Sequence, residues 1–208
     1  MSTVKVFAAI PKRPDISDEE FQDHWRHPHG TLCKKITTLR RYVQSHRIKS
    51  PLVAPYNEHY DGITELWYDN VDDAAGLVNE PNYIKYNLPD EPLYVDLPNL
   101  KYVFTTEEVI SSRPDVNVTI NEADAAWSPW GLAVCIKLIQ LIEPGGNPDW
   151  ARDDDADLGR RIGALRHVRS HPLETVHGNG PPFNGVRELW WPTMWAFKQG
   201  IAANPEAY

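Results

Sequence analysis

Tyr60-Asp61-Gly62-Ile63-Thr64-Glu65-Leu66-Trp67-Tyr68 returns as Phe183-Asn184-Gly185-Val186-Arg187-Glu188-Leu189-Trp190-Trp191, with Phe183 standing 123 positions after Tyr60. Upstream of each copy, Leu39-Arg40-Arg41-Tyr42-Val43-Gln44-Ser45-His46 is answered by Leu165-Arg166-His167-Val168-Arg169-Ser170-His171, with one residue dropped. Two matches in the same order indicate a tandem duplication. A weaker third match pairs Val4 to Ile10 with Leu132 to Ile142. The 208 residues thus divide into a first repeat over 1–112, a linker over 113–125 and a second repeat over 126–208. Ser111 to Asp124, polar and containing Pro114, forms the joint.

Each repeat reads as strand, helix, strand, long loop, strand, helix. Val4 to Ile10 is rich in β-formers and stops at Pro11, as a strand does. Ser17-Asp18-Glu19-Glu20 is a capping box that opens a helix, and Phe21, Trp25, His29, Leu32, Ile36 and Leu39 then follow at three- and four-residue steps, one helical face. Tyr42, Gln44 and His46 alternate with Val43, Ser45 and Arg47, the period of a strand with two distinct sides. Ile48 to His59, with Pro51 and Pro55, is a loop. Gly62 to Tyr68 is the third strand, followed by a short helix from Asn70 or Asp72 toward Asn79, and Leu100 to Thr106 is the fourth. The spacing of the copies would put a counterpart of that last strand past Tyr208, so the second repeat lacks it unless Val116 to Ile120 takes its place.

Bulk properties narrow the function. A net charge of −8 with scattered basic residues argues against binding a polyphosphate backbone, so nucleic acid is not an expected partner. No apolar run reaches a membrane span and the N-terminus lacks a signal core, which places the chain in the cytoplasm and away from membranes. Cys33 and Cys135 fall in apolar patterns in different repeats and read as small buried hydrophobes. Eight Trp and nine Tyr supply flat walls suited to hydrophobic ligands.

Phe21-x-x-His24-Trp25-x-x-x-His29, then Leu39-x-x-Tyr42-Val43-Gln44-x-His46, Tyr60-Asp61-Gly62-x-x-Glu65-Leu66-Trp67 and Tyr94-x-Asp96, resembles the EthD-like family over nearly all of residues 1–110 and more weakly over 131–208. The resemblance implies an α+β architecture: two ferredoxin-like repeats, antiparallel sheets flanked by helices, which in one chain would form an intrachain dimeric α/β barrel. It implies either a monomeric pseudo-dimer or a homodimer. Related barrels host cofactor-free decarboxylases, dehydratases, isomerases, cyclases and monooxygenases acting on aromatic or polyketide-like molecules, beside members without a settled activity; fold alone does not choose among them.

The second copy is an internal control for the site. Opposite His24-Trp25-Arg26-His27-Pro28-His29 it has Trp150-Ala151-Arg152-Asp153-Asp154-Asp155, with Asp155 in the place of His29. The first repeat alone keeps the imidazole, and Pro28 removes an amide from the helical ladder beside it. His29 is the expected general acid/base, because an imidazole exchanges protons near neutrality. His46 is a candidate to polarise a substrate carbonyl or phenol, and Asp61, replaced by Asn184, to fix an imidazole tautomer. His24, Trp25, Tyr42, Gln44, Tyr60, Glu65 and Trp67 are the candidate substrate-binding residues; Trp25 equally suits packing, and Glu65, matched by Glu188, equally suits the fold.

No metal site is expected, since nothing within the run completes His24 and His27 as ligands. Nor is a cofactor: no nucleophile elbow, P-loop or dinucleotide fingerprint is present. The expected function is a cofactor-independent lyase, decarboxylase or dehydratase, acting on a hydrophobic aromatic or polyketide-like carbonyl compound. Arg26 or Arg47 would have to hold any substrate carboxylate. The alternatives are a non-catalytic small-molecule-binding or stress-response module, and a cofactor-free monooxygenase, cyclase or isomerase.

Overall fold

A computed structural model of the chain describes residues 3–54, 56, 59–112, 135–146, 149–152 and 156–208. The linker beyond residue 112, the substitute strand expected at Val116 to Ile120, and Asp155 lie outside the described residues. The chain divides into two compact units, Met1–Thr106 with Pro172–Pro182, and Glu107–His171 with Phe183–Tyr208. Both are α+β and built on antiparallel pairing, the ferredoxin-like architecture. No helix among the described residues is long and apolar enough to cross a membrane.

In the first unit, β1 (Val4–Ile10) lies between β3 (Gly62–Tyr68) and β4 (Lys101–Ser112), and β2 (Arg41–His46) flanks β3. All of β1 and β3 is buried. On one face Ala8 and Ile10 pack with Phe21, Trp25, Tyr94 and Val95, while Val4, Val6, Leu66 and Tyr68 form a second cluster around Ala74. Leu173 donates its amide to the Phe104 carbonyl at 2.8 Å and His177 Nε2 accepts the Phe104 amide at 3.2 Å, so the 172–182 segment satisfies backbone along β4.

The second unit pairs β7 (Gly185–Trp191) with β5 (Ile136–Ile142) on one side and β6 (Arg166–Pro172) on the other. Residues 107–112 of β4 belong to this unit and neighbour β6, with Arg166 donating to the Ser112 hydroxyl at 3.0 Å and His171 paired with Glu108 at 2.7 Å.

The helix of the first unit is not uniform, and its irregularity decides which residues face inward. It starts where the capping box places it: Ser17 Oγ accepts the Glu20 amide at 3.1 Å, and Glu20 Oε2 accepts the Ser17 amide at 2.8 Å. Ser17→Ala therefore loses about 1 kcal/mol, read as a lower Tm. Helix α1 (Asp18–His24) passes into a π turn (Trp25–His29) and resumes as α2 (Gly30–Cys33). Pro28 has no amide to give, and Gly30 reaches back five residues to the Trp25 carbonyl. The wide turn holds one extra residue, which rotates the inward face: Phe21, Trp25, His29 and Cys33 are buried at steps of four, and Leu32, expected inside, is displaced by Cys33. Ile36 is buried and Leu39 packs inward, but both follow the helix.

The repeated tripeptide around Gly62 has a packing cause. A Cβ on Gly62 would sit 2.2 Å from the Trp25 ring, and one on Gly185 2.0 Å from the Trp150 ring. Each unit lays an indole across the first residue of its strand, and only glycine leaves the room. Other pairs also recur. Lys5 meets Glu65 at 3.0 Å and Lys137 meets Glu188 at 3.1 Å, both carboxylates fully buried. Lys5 lies 4.4 Å over Trp67 and Lys137 4.7 Å over Trp190. Removing one partner of such a pair would strand a buried charge, which explains why both members are kept in both copies.

Short elements complete the first unit: helix α3 (Val71–Ala75), capped by Asn70, a 3₁₀ turn (Gly76–Asn79), and a second π turn (Tyr83–Asn87). There Leu88 donates to the Tyr83 carbonyl at 2.9 Å, and Pro89 halts the helix. The second unit contributes α4 (Leu158–Arg161) and α5 (Met194–Ala203).

Candidate active site

The two π turns of the first unit are walls of one cavity. His29 and Cys33 enter it from the first turn and α2, Tyr83 and Asn87 from the second turn, Tyr42, Thr64, Leu66 and Tyr102 from the sheet, and Glu91 and Tyr94 from the segment after Pro89. Its space for the centres of water-sized molecules is about 40 Å³, enough for roughly three waters. Wide turns of this kind recur at functional sites because they turn side chains out of helical register.

In its wall stands His29, held by a carboxylate that does not itself line the cavity. His29 Nδ1 is 3.0 Å from Asp90 Oδ2, and the other oxygen of Asp90 is 2.9 Å from His24 Nε2. With Asp90 accepting from Nδ1–H, the lone pair of His29 is on Nε2, which has no hydrogen-bond partner among the described residues. Burial holds the His29 pKa below its ordinary 6.5, against the opposing hydrogen bond and charge of Asp90, so the ring is neutral and basic at pH 7. Tyr94 closes over both imidazoles, its ring centroid 5.0 Å from that of His24 and 5.2 Å from that of His29.

A second proton-bearing group lines the same cavity. Glu91 is buried, accepts the Tyr83 hydroxyl at 3.0 Å, and is pushed up to about 7, chiefly by burial and then by the neighbouring Asp90 charge, against the Tyr83 hydrogen bond. Burial also raises the pKa of Tyr42, Tyr94 and Tyr102 well above the phenol range and pushes the Cys33 thiol up to about 12. The lining at pH 7 is therefore a neutral imidazole, a half-ionised carboxyl, protonated phenols and an inert thiol, which is an acid/base set.

Of the residues singled out in the sequence, His29 and Tyr42 line the cavity and His24 joins it through Asp90. Gln44 stands behind, donating to the Tyr42 hydroxyl at 2.9 Å and to the Trp25 carbonyl, which also accepts from Gly30 in the π turn. Trp25 is fully buried in the core beside Phe21, at 5.5 Å between centroids.

Five others lie elsewhere. His46 is off the cavity: its Nδ1 bonds Gln22, its Nε2 is 3.3 Å from Gln44, and its ring packs on Trp25 at 4.5 Å. His171 repeats that contact on Trp150 at 5.5 Å, so this histidine belongs to the duplicated scaffold. Burial, and then Arg26, bring the His46 pKa down to about 4. Asp61 fixes no imidazole; its oxygens take the Lys12 amide at 2.9 Å and the Arg47 guanidinium at 2.8 Å, and Asp90 has the role expected of it. Tyr60 gives its carbonyl to Arg47 at 3.1 Å. Glu65 and Trp67 belong to the buried Lys5 cluster.

Asp90, Glu91, Tyr83 and Tyr102 were not singled out. The segment from Pro81 to Pro98 is cut into turns by Pro89 and Pro92, so no periodicity marks its inward face. The available signal was an adjacent acid pair, Asp90-Glu91, inside an aromatic stretch. Among the described residues no group of histidine, cysteine and carboxylate side chains is arranged to hold a metal.

Residues 13–98 match the model of the EthD domain, a span that contains His29, Asp90 and Glu91. No curated protein matches the chain in sequence. In structure it is similar to a proposed monooxygenase from Fusobacterium nucleatum, with TM-score 0.54 and 7% identity over 98% of this chain and 82% of that one. It is also similar to a proposed chlorite dismutase, with TM-score 0.52 and 10% identity over 99% and 88%. An EthD family protein from Bacillus halodurans, 19% identical, aligns with 49% of this chain and 95% of its own at TM-score 0.40. At these identities the likeness over both units is one of fold.

Proposed function

Residues 13–98 form an EthD-like domain, and on that premise we propose that the chain is a cofactor-independent lyase that moves protons on a small carbonyl compound. The observation that carries this reading is the cavity in which His29, held by Asp90 with Nε2 unbonded, shares the lining with the partly protonated Glu91. His29 Nε2 takes the proton from the carbon beside the carbonyl. Glu91 returns a proton to the leaving group or to the carbon. The phenol of Tyr42, oriented by Gln44, and that of Tyr94 are donors to the carbonyl oxygen as it gains negative charge. His24 holds the far oxygen of Asp90 and so positions the pair without touching substrate.

Size constrains the substrate. The space favours compact molecules; a single aromatic ring enters only as a lining side chain swings aside, and Leu77 and Leu100, both partly buried, are suited to do so. Turnover of small β-hydroxy ketones carrying deuterium beside the carbonyl, and of β-keto acids in D₂O, tests the reading: the deuterated ketones react more slowly by a primary isotope effect, and the ketone formed from a β-keto acid takes deuterium beside its carbonyl. The rate–pH profile is a bell, rising through a pKa below 6.5 as His29 loses its proton and falling through about 7 as Glu91 loses its own. A rate that climbs steadily past pH 7 removes Glu91 as the acid, and a β-hydroxy ketone turned over with no isotope effect removes proton abstraction as the step that sets the rate.

A further inference from the structure

We propose that the cavity admits an uncharged substrate and rejects carboxylates, so that the lyase eliminates water and not carbon dioxide. This rests on the reading of the site given above. Among the described residues lining the cavity there is no lysine or arginine, while a carboxyl side chain, Glu91, is built into the wall. Of the two arginines that could hold a carboxylate, Arg47 is spent on Asp61 at 2.8 Å, and Arg26 is exposed and does not line the cavity. Glu91 faces Tyr83, Tyr94, Tyr102 and Cys33 with Asp90 beside it, and none of these carries positive charge. An incoming carboxylate would be stripped of water with nothing to pair it, whereas hydroxyl and carbonyl groups match the phenols and the imidazole.

The chemistry balances without a further reactant. His29 Nε2 takes the proton beside the carbonyl, the C–H pair becomes the carbon–carbon double bond, and the β C–O bond breaks. Glu91 gives its proton to the departing hydroxyl, which leaves as water. The proton on Nε2 returns to Glu91 through solvent.

The probes are acetamide and acetate, equal in shape and small enough for the space described. Binding is read from the His29 ring Cε1–H resonance, assigned by its loss in His29→Asn. At pH 8, where Glu91 is mostly ionised, acetamide shifts the resonance saturably and binds at least tenfold more tightly than acetate. In Glu91→Gln that preference narrows, with folding checked by the unchanged remainder of the spectrum. Acetate binding as tightly as acetamide to the native protein, or neither probe shifting His29, overturns the proposal. The test is separate from turnover: if His29→Ala left turnover intact while acetamide stayed preferred, the lyase reading would fail and the charge selection would stand.

Discussion

Alanine in place of His29 lowers kcat about 10²–10⁴-fold, the span that a positioned general base contributes, with little change in KM. The imidazole touches the substrate proton only as the C–H bond breaks, so its loss falls on the transition state. Folding survives, because Asp90 keeps its bond to His24 and is not left as a buried unpaired charge. Asp90→Asn gives a smaller fall by a different route. The amide nitrogen offers a proton where the carboxylate accepted one, Nδ1 turns acceptor toward it, and the Nε2 lone pair is lost to the cavity. The acid limb of the rate–pH profile disappears in His29→Ala and moves to lower pH in Asp90→Asn, since Asp90 favours the charged imidazole. His46→Ala leaves the profile where it was, as expected of a ring that packs on Trp25 and has both nitrogens engaged. Unchanged turnover in His29→Ala would reject the assignment outright.

What was legible in the sequence was what periodicity and repetition carry. The bounds of β1 and β3 were readable because both are rich in β-formers, the first stopped by Pro11 and the second begun at a glycine. The duplication showed which residues serve the scaffold, and Glu65, Trp67 and Gly62 recur because a buried ion pair and an indole laid on a strand are needed in each unit. The same logic applied to His46 would have assigned it to the scaffold, because His171 repeats it. Two things defeated the reading. The π turn at Trp25–His29 adds a residue to the helix, so a period of 3.6 predicted Leu32 inside where Cys33 is. The proton-carrying partners of His29 come from a stretch of broken turns 61 and 62 positions along the chain, where only tertiary contact brings Asp90 and Glu91 to it.

Gly62→Ala is the substitution expected to cost most in stability. Its new methyl would lie 2.2 Å from Cζ3 and 2.4 Å from Cη2 of Trp25, and neither side can retreat easily: the indole is fully buried against Phe21, and Gly62 is paired on both sides, to Ile10 and to His46. Overpacking of this kind costs about 3 kcal/mol, a fall in Tm of roughly 6–12 °C in a chain of this length. Because Trp25 opens the π turn that presents His29, the shifted indole also lowers kcat. Trp25→Phe removes the ring atoms that collide, so the double substitution costs less than the sum of the singles, with a coupling on the order of 1 kcal/mol. Gly185→Ala makes the same collision, 2.0 Å from Trp150, in the unit without the site. It lowers stability comparably while the rate–pH profile keeps both limbs. Equal Tm for Gly62→Ala and the native protein would show that the glycine is not required by the indole, and the packing account of the repeated motif would go with it.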